Sequence, residues 1–276
     1  MKIGNKSKSF AVGFSVLLFA VSSAMCGTIY QSGTSGTTYT DVLGDGQGSS
    51  NKGRDISYAT IANDANNLYI TIALSPTGNL ETQGSFNYVM AITSGNPSAG
   101  GDTSASADFG NPWSRAISID SSFGGMTDWI GAYGAGGSGS ASSPFTSFGF
   151  NDWVYSGGSW TQIENVASGE PISMQPSTST PNEFTLTVPL SDLSNLNLTP
   201  GSSFDFDIDS TGTSAGQTAY DSLVVQGPIQ ATYSGTAQFN ETVLDQYTIS
   251  SVPEPGTLAL AGLSGLSLIL FRRRQK

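Results

Sequence analysis

Apolar and polar residues alternate with a period of two through the middle of the chain, in runs bounded by Gly, Asn, Asp, Ser or Pro. That pattern predicts short strands joined by turns. The clearest pair is Ile56 to Ala62 and Asn67 to Leu74, with Asn63-Asp64-Ala65-Asn66 as the turn. In its second arm Leu68, Ile70, Ile72 and Leu74 share one face, opposite Tyr69, Thr71 and Ala73. Phe86 to Thr93 repeats the pattern with Phe86, Tyr88, Met90 and Ile92. Asn151 to Ser156 and Ser159 to Val166 read as a hairpin about Gly157-Gly158, with Trp153 and Tyr155 on one face and Trp160 opening the second arm. Further strands are expected at Arg115 to Asp120, Trp129 to Tyr133, Glu183 to Val188, Ser203 to Asp209, Ser222 to Gln226, Ala231 to Phe239 and Asp245 to Ser250. A short strand and a loop precede them in Gly27 to Asn51, and Pro189 to Leu193 starts a short helical turn. The expected fold is all-β: an antiparallel two-sheet β-sandwich, jelly-roll-like.

Both ends break this pattern. Lys2, Lys6 and Lys8 precede the apolar run Phe10 to Val21, and small residues follow at Ser22, Ser23 and Ala24. Residues 1–26 therefore read as a secretory signal peptide, cleaved after Ala24 or after Cys26. At the other end, residues 252–276 have three parts in order: Val252-Pro253-Glu254-Pro255, an uncharged apolar run from Gly256 to Phe271, and Arg272, Arg273, Arg274 with Lys276. As a helix the run would reach roughly 24 Å, short of a hydrocarbon core of ~30 Å. The expected topology is a single hydrophobic helix in the membrane with its basic tail in the cytoplasm. Residues 27–251 form the exported domain between the two signals.

This tail resembles the PEP-CTERM sorting signal of exported proteins in Gram-negative bacteria, on Val252, Pro253, Glu254, Pro255, the helix, and Arg272 to Arg274. The resemblance implies recognition by an exosortase-type sorting protease, with cleavage near the motif. It also implies a protein first anchored in the inner membrane by its C-terminal helix, then passed to the cell surface or released into the matrix of a cell that makes exopolysaccharide.

Charge is divided sharply between the ends and the body. From Gly27 to Val252 the only bases are Lys52, Arg54 and Arg115, while every acid but Glu254 falls there: twenty acids and a net charge of −17. Such a surface repels nucleic acid, which is excluded as a partner. The chain has no His, and Cys26 is its only cysteine. Ser-His-Asp catalysis, His-ligated zinc and haem ligation by His are thereby removed, and the body has no disulfide. A paired-carboxylate glycosidase needs only two acids about 5–10 Å apart and stays open as a third reading. The expectation is a protein that is not an enzyme.

Two constellations remain. Phe204-Asp205-Phe206-Asp207-Ile208-Asp209 puts Asp205, Asp207 and Asp209 on one face of a strand and its apolar residues on the other. Three neighbouring carboxylates repel unless water or a cation screens them, so the stripe is either a solvated outer face or a Ca²⁺ site. Asp41 and Asp45, in the loop before the first hairpin, are a second candidate for Ca²⁺. Trp113, Trp129, Trp153 and Trp160 all fall in the middle third, where Trp113 has Arg115 close by. Aromatic faces are what a sugar ring packs against, whereas core packing is the alternative for each ring taken singly.

The run Asp55 to Leu74 resembles the opening of sandwiches similar to family 9 carbohydrate-binding modules and DOMON-type domains. Glu183 to Leu193, Pro200 to Phe204 and Ala219 to Leu223 follow the second half of that pattern. The resemblance implies a sandwich that binds extracellular polysaccharide without catalysis. A structural or adhesive surface or biofilm-matrix protein with no small ligand is the alternative.

Overall fold

Alternation turns into two sheets because the longer strands each have a largely apolar face to bury. The computed structural model describes residues 36–43, 55–74, 85–98, 100–103, 111–135, 147–167, 175–176, 183–212, 215–225 and 239–251. The signal segment 1–26, Asp45, the sorting segment 252–276 and nearly all of the strand expected at Ala231 to Phe239 lie outside them.

Fourteen strands are defined among the described residues: β1 (Thr37–Thr40), β2 (Ile56–Asn63), β3 (Asn67–Leu74), β4 (Ser85–Thr93), β5 (Ile117–Ile119), β6 (Asp128–Ala135), β7 (Ser147–Ser156), β8 (Ser159–Ala167), β9 (Gln175–Pro176), β10 (Glu183–Pro189), β11 (Ser203–Thr211), β12 (Ala219–Ser222), β13 (Phe239–Glu241) and β14 (Asp245–Thr248). The first sheet has the order β1-β2-β3-β10-β9 and the second β12-β11-β4-β6-β7-β8, with β14 also on β11. All pairings in both sheets are antiparallel. The core between the sheets takes Leu68, Ile70, Ile72 and Leu74 of β3 and Phe184, Leu186 and Val188 of β10 from one side. From the other it takes Tyr88, Met90, Ile92, Phe206 and Ile208. Each such side chain, fully buried, stabilises the fold by about 1.5–3 kcal/mol before conformational entropy is set against it.

The turns are held as their residues suggest. Asp64 closes the β2–β3 hairpin: its Oδ1 accepts from the N–H groups of Asn66 and Asn67, both at 2.7 Å, and its Oδ2 from the Tyr69 hydroxyl at 2.6 Å. Gly157 and Gly158 both have positive φ, 61° and 86°, as a two-residue hairpin turn requires. Asn63 ties this end of the first sheet to the C-terminal side, accepting from Tyr247 Oη at 2.8 Å and from Ser250 N at 2.9 Å. Tyr39 closes one flank by donating to the Gln246 carbonyl at 2.7 Å while its ring meets Phe206 edge-on at 5.0 Å.

The structure corrects the expected strands in two places. The segment expected as a strand at Ser222 to Gln226 is a strand at Ala219–Ser222, after which the chain bends. The bend has a cause: Val224 N donates to Asp207 Oδ1 and to Ser222 Oγ, and Val225 N to Ser222 Oγ, so these amides serve side chains and not a ladder. The strand expected at Arg115 to Asp120 is shorter, at Ile117–Ile119, and belongs to neither large sheet. It pairs in parallel with β13, Ile117 opposite Phe239 and Ile119 opposite Glu241. This small ribbon forms a third layer on the far face of the second sheet, where Ile119 and Met126 pack on Val89, Ala91 and Trp129. No helix among the described residues is long and apolar enough to cross a membrane.

Candidate functional site

The far face of the second sheet gathers most of the residues singled out in the sequence. Along its strand order lie Asp207 and Asp209 on β11, Val89 and Ala91 on β4, Trp129 on β6, Trp153 on β7 and Trp160 on β8. The third layer covers the β11 to β6 part of this face, and the aromatic residues of β7 and β8 continue it toward the edge.

The four tryptophans share one apolar cluster, but not one role. Trp129 has no exposed surface and is core, which takes it off any sugar-facing surface. Trp113, Trp153 and Trp160 are partly buried against it. Trp113 stands edge-on to Trp129 at 6.3 Å and lies over Gly131, where a Cβ would meet the Trp113 ring at 2.4 Å. Only a glycine on β6 leaves room for that ring. Trp160 donates its indole N–H to Asp102 Oδ2 at 2.8 Å, and its ring lies 5.2 Å from Tyr155. Tyr155, a face-mate of Trp153 by alternation, thus completes the half-buried aromatic edge. Arg115 is buried: its guanidinium carbon lies 5.7 Å from the Trp113 ring centre and its Nη1 donates to the Trp113 carbonyl at 3.0 Å. Burial lowers its pKa to about 10 against a small opposing effect of Tyr220. It supports Trp113 from behind, in a loop that Asn111 pins through the Arg115 N–H and carbonyl at 2.7 and 2.6 Å.

The carboxylates sort differently from their sequence stripe. Asp207 and Asp209 are wholly buried, because the third layer covers their face of β11. Asp205, nearer the end of the strand, is only partly buried and accepts from Gln246 Nε2 at 2.8 Å. Its place is taken by Glu241 of β13, also wholly buried. Oxygens of Asp207, Asp209 and Glu241 lie within 4.8 Å of one another, the only such group of three or more metal-capable side chains among the described residues. Asp207 is well served: Ser222 Oγ donates to it at 2.5 Å, Ile208 N at 2.6 Å and Val224 N at 3.3 Å. Beyond the two carboxyls themselves, no donor reaches either oxygen of Asp209 or of Glu241. Burial, then the neighbouring carboxylates, push Asp209 and Glu241 well above the usual carboxylate range. Burial lifts Asp207 to about 7 despite its hydrogen bonds. Asp41 stands apart at the end of β1, its Oδ1 accepting from Val42 N at 2.6 Å.

A second buried pair went unread in the sequence. Asp128 and Asp152 are diagonal neighbours across β6 and β7, on the face toward the first sheet, with no exposed surface and only the nearby Thr127 side chain and Trp153 amide, neither in good hydrogen-bonding geometry, to serve their four oxygens. Burial lifts Asp128 to about 7, and burial followed by the charges of Asp128 and Asp192 lifts Asp152 to about 8. Neither these two nor Glu241 carries a sequence signal, since a lone acid in a strand reads as a solvated position.

No curated protein and no solved structure matches this chain. A model of the PEP-CTERM protein-sorting motif matches residues 251–274, which hold Val252 to Pro255 and Arg272 to Arg274. Its C-terminal end is thus a PEP-CTERM protein-sorting motif, and the chain is an exported, surface-directed protein sorted by an exosortase.

Proposed function

We propose that the exported sandwich binds extracellular polysaccharide without catalysis, through the aromatic edge formed by Trp113, Trp153, Tyr155 and Trp160. The observation that carries this reading is the convergence of these rings, half-buried and braced from behind, on one face of one sheet. Pyranose C–H faces pack on such rings, and the wholly buried Trp129 and the Asp102 bond to Trp160 keep them in place. The acids that the fold brings together are sealed from solvent, which supports a binding role over a paired-carboxylate hydrolase. The sorting motif directs the protein to the surface, where an extracellular polysaccharide would be within its reach. On this reading, the apolar run Gly256 to Phe271 holds the chain in the inner membrane before processing.

The test is binding of the full-length chain to a panel of polysaccharides, the host's own included. Saturable, selective binding that falls at least tenfold in Trp160→Ala and Tyr155→Ala, with thermal unfolding little changed, supports the reading. No binding to any glycan would overturn it and leave a structural or adhesive surface protein in its place.

A further inference from the structure

We propose that Asp207, Asp209 and Glu241 form a buried Ca²⁺ site that fastens the third layer to the second sheet. Geometry is the first support. Oxygens that share one calcium ion at 2.3–2.6 Å can be at most about 5 Å apart. The oxygens here lie within 4.8 Å of one another.

The second support is independent of clustering. Asp209 and Glu241 have no exposed surface, and beyond the two carboxyls themselves no donor reaches any of their four oxygens. Buried polar groups are ordinarily satisfied, and a sealed carboxyl without a donor is either neutral or bound to a cation. Arg115 is the only base among the described residues, and its guanidinium is engaged at Trp113. Whenever these carboxyls are ionised, the counter-charge therefore has to come from outside the described side chains.

The chemistry of the donors selects the ion. All are carboxylate oxygens, which suits a hard cation and excludes a preference for zinc or copper. The three carboxylates supply one ligand oxygen each in this arrangement, and would reach the six ligands at which calcium coordination begins if each bound through both oxygens. Magnesium keeps several of its waters, and a site with no solvent exposure has little place for them. Two positive charges offset two of three negative ones. The third is spread over the three donors that already hold Asp207: Ser222 Oγ, Ile208 N and Val224 N.

The ion would join β11 to β13, strands that share no hydrogen-bonded ladder. The aromatic cluster packs against the same layer, so calcium would stiffen the layer behind the proposed sugar surface without touching a sugar. The site stands whether or not that surface binds glycan.

The experiment uses the full-length chain, stripped with chelator and returned to calcium or magnesium near neutral pH. Metal content per chain and thermal unfolding are measured. The expected result is one Ca²⁺ per chain and a Tm higher by about 5–10 °C at a hundredfold excess over Kd. Asp209→Asn and Glu241→Gln should each abolish both, while remaining folded in chelator because the amide replaces the charge at equal size. Asp205→Asn and Asp152→Asn should keep both. A wild-type chain that takes up no calcium, an equal response to magnesium, or calcium retained by the Asp209→Asn/Glu241→Gln double variant would overturn the proposal. If the variants fail to fold, the metal content and calcium shift of the wild-type chain decide alone.

Discussion

Asp207, Asp209 and Glu241 lie on one face of the second sheet, and Asp128 and Asp152 on the other, all five without exposed surface. Their surroundings differ in two respects. The first group joins strands of different layers that share no hydrogen-bonded ladder and has one member, Asp207, anchored by three donors. The second joins adjacent strands and has no anchored member at all. Equal burial therefore does not mean equal roles. An anchored carboxylate beside two unserved ones is a preformed ligand set, whereas two unserved carboxyls on diagonal positions are a pair that persists at neutral pH by holding protons.

The largest effect that separates the groups is the response to removing a carboxyl. Asp207→Ala would leave Ser222 Oγ and the amides of Ile208 and Val224 without their acceptor inside the fold. The expected cost is about 3–5 kcal/mol, read from urea unfolding. Asp152→Asn removes no donor's partner and relieves a buried charge, so at pH ~8 it should leave stability unchanged or raise it by about 1–3 kcal/mol. A loss at Asp152 as large as that at Asp207 would erase the distinction.

The pH profile is the next discriminator. These carboxyls ionise near pH 4 in the unfolded chain but higher in the folded one: at about 7 for Asp128 and about 8 for Asp152. Between the two values the folded state keeps protons that the unfolded state has released. Stability should thus be greatest below the unfolded value and fall as pH rises toward the folded one, by up to about 1.4 kcal/mol per pH unit for each such group. In chelator both groups contribute to this fall. Calcium should remove the share of Asp207, Asp209 and Glu241, whose bound carboxylates stay ionised, and leave the share of Asp128 and Asp152. The double change Asp128→Asn/Asp152→Asn should remove the rest. Urea unfolding from about pH 5 to about pH 8, with and without calcium, reads both shares, and a flat profile in chelator would break the comparison.

The inner side of the molecule was far more legible in the sequence than this outer one. The β2–β3 hairpin, the Gly157-Gly158 turn and β10 appear where alternation and turn residues put them, within about a residue, because each buries one face and has its partner nearby. The third layer has neither advantage. Its two strands of three residues pair in parallel across more than a hundred residues of chain, and neither is long enough to show a period. A signal did exist in Tyr88-Val89-Met90-Ala91-Ile92 of β4, which is apolar on both faces and so needs cover on both. Without the third layer, the Asp205-Asp207-Asp209 stripe could be read only as solvated or as a metal site of those three. Alternation gives a residue's face but not what lies on it. Glu241 was therefore invisible, and Asp205 was grouped with residues whose surroundings it does not share.

Asp205 provides the smallest and most exacting test of that boundary. It has the same strand, face and charge as Asp207 and Asp209, and in sequence the three are equivalent. In the fold it is partly exposed and bonds the Gln246 side chain on β14, beyond the cover of Glu241. Asp205→Asn keeps an acceptor for Gln246 and removes a charge from a partly solvated position, so stability should shift by no more than about 0.5 kcal/mol. The calcium-dependent rise in Tm should persist in full, because the ligand set does not include this carboxyl. If Asp205→Asn instead weakened calcium uptake as much as Asp209→Asn, the ion would sit on the strand's acidic stripe, and the role assigned to Glu241 and the third layer would fall with it.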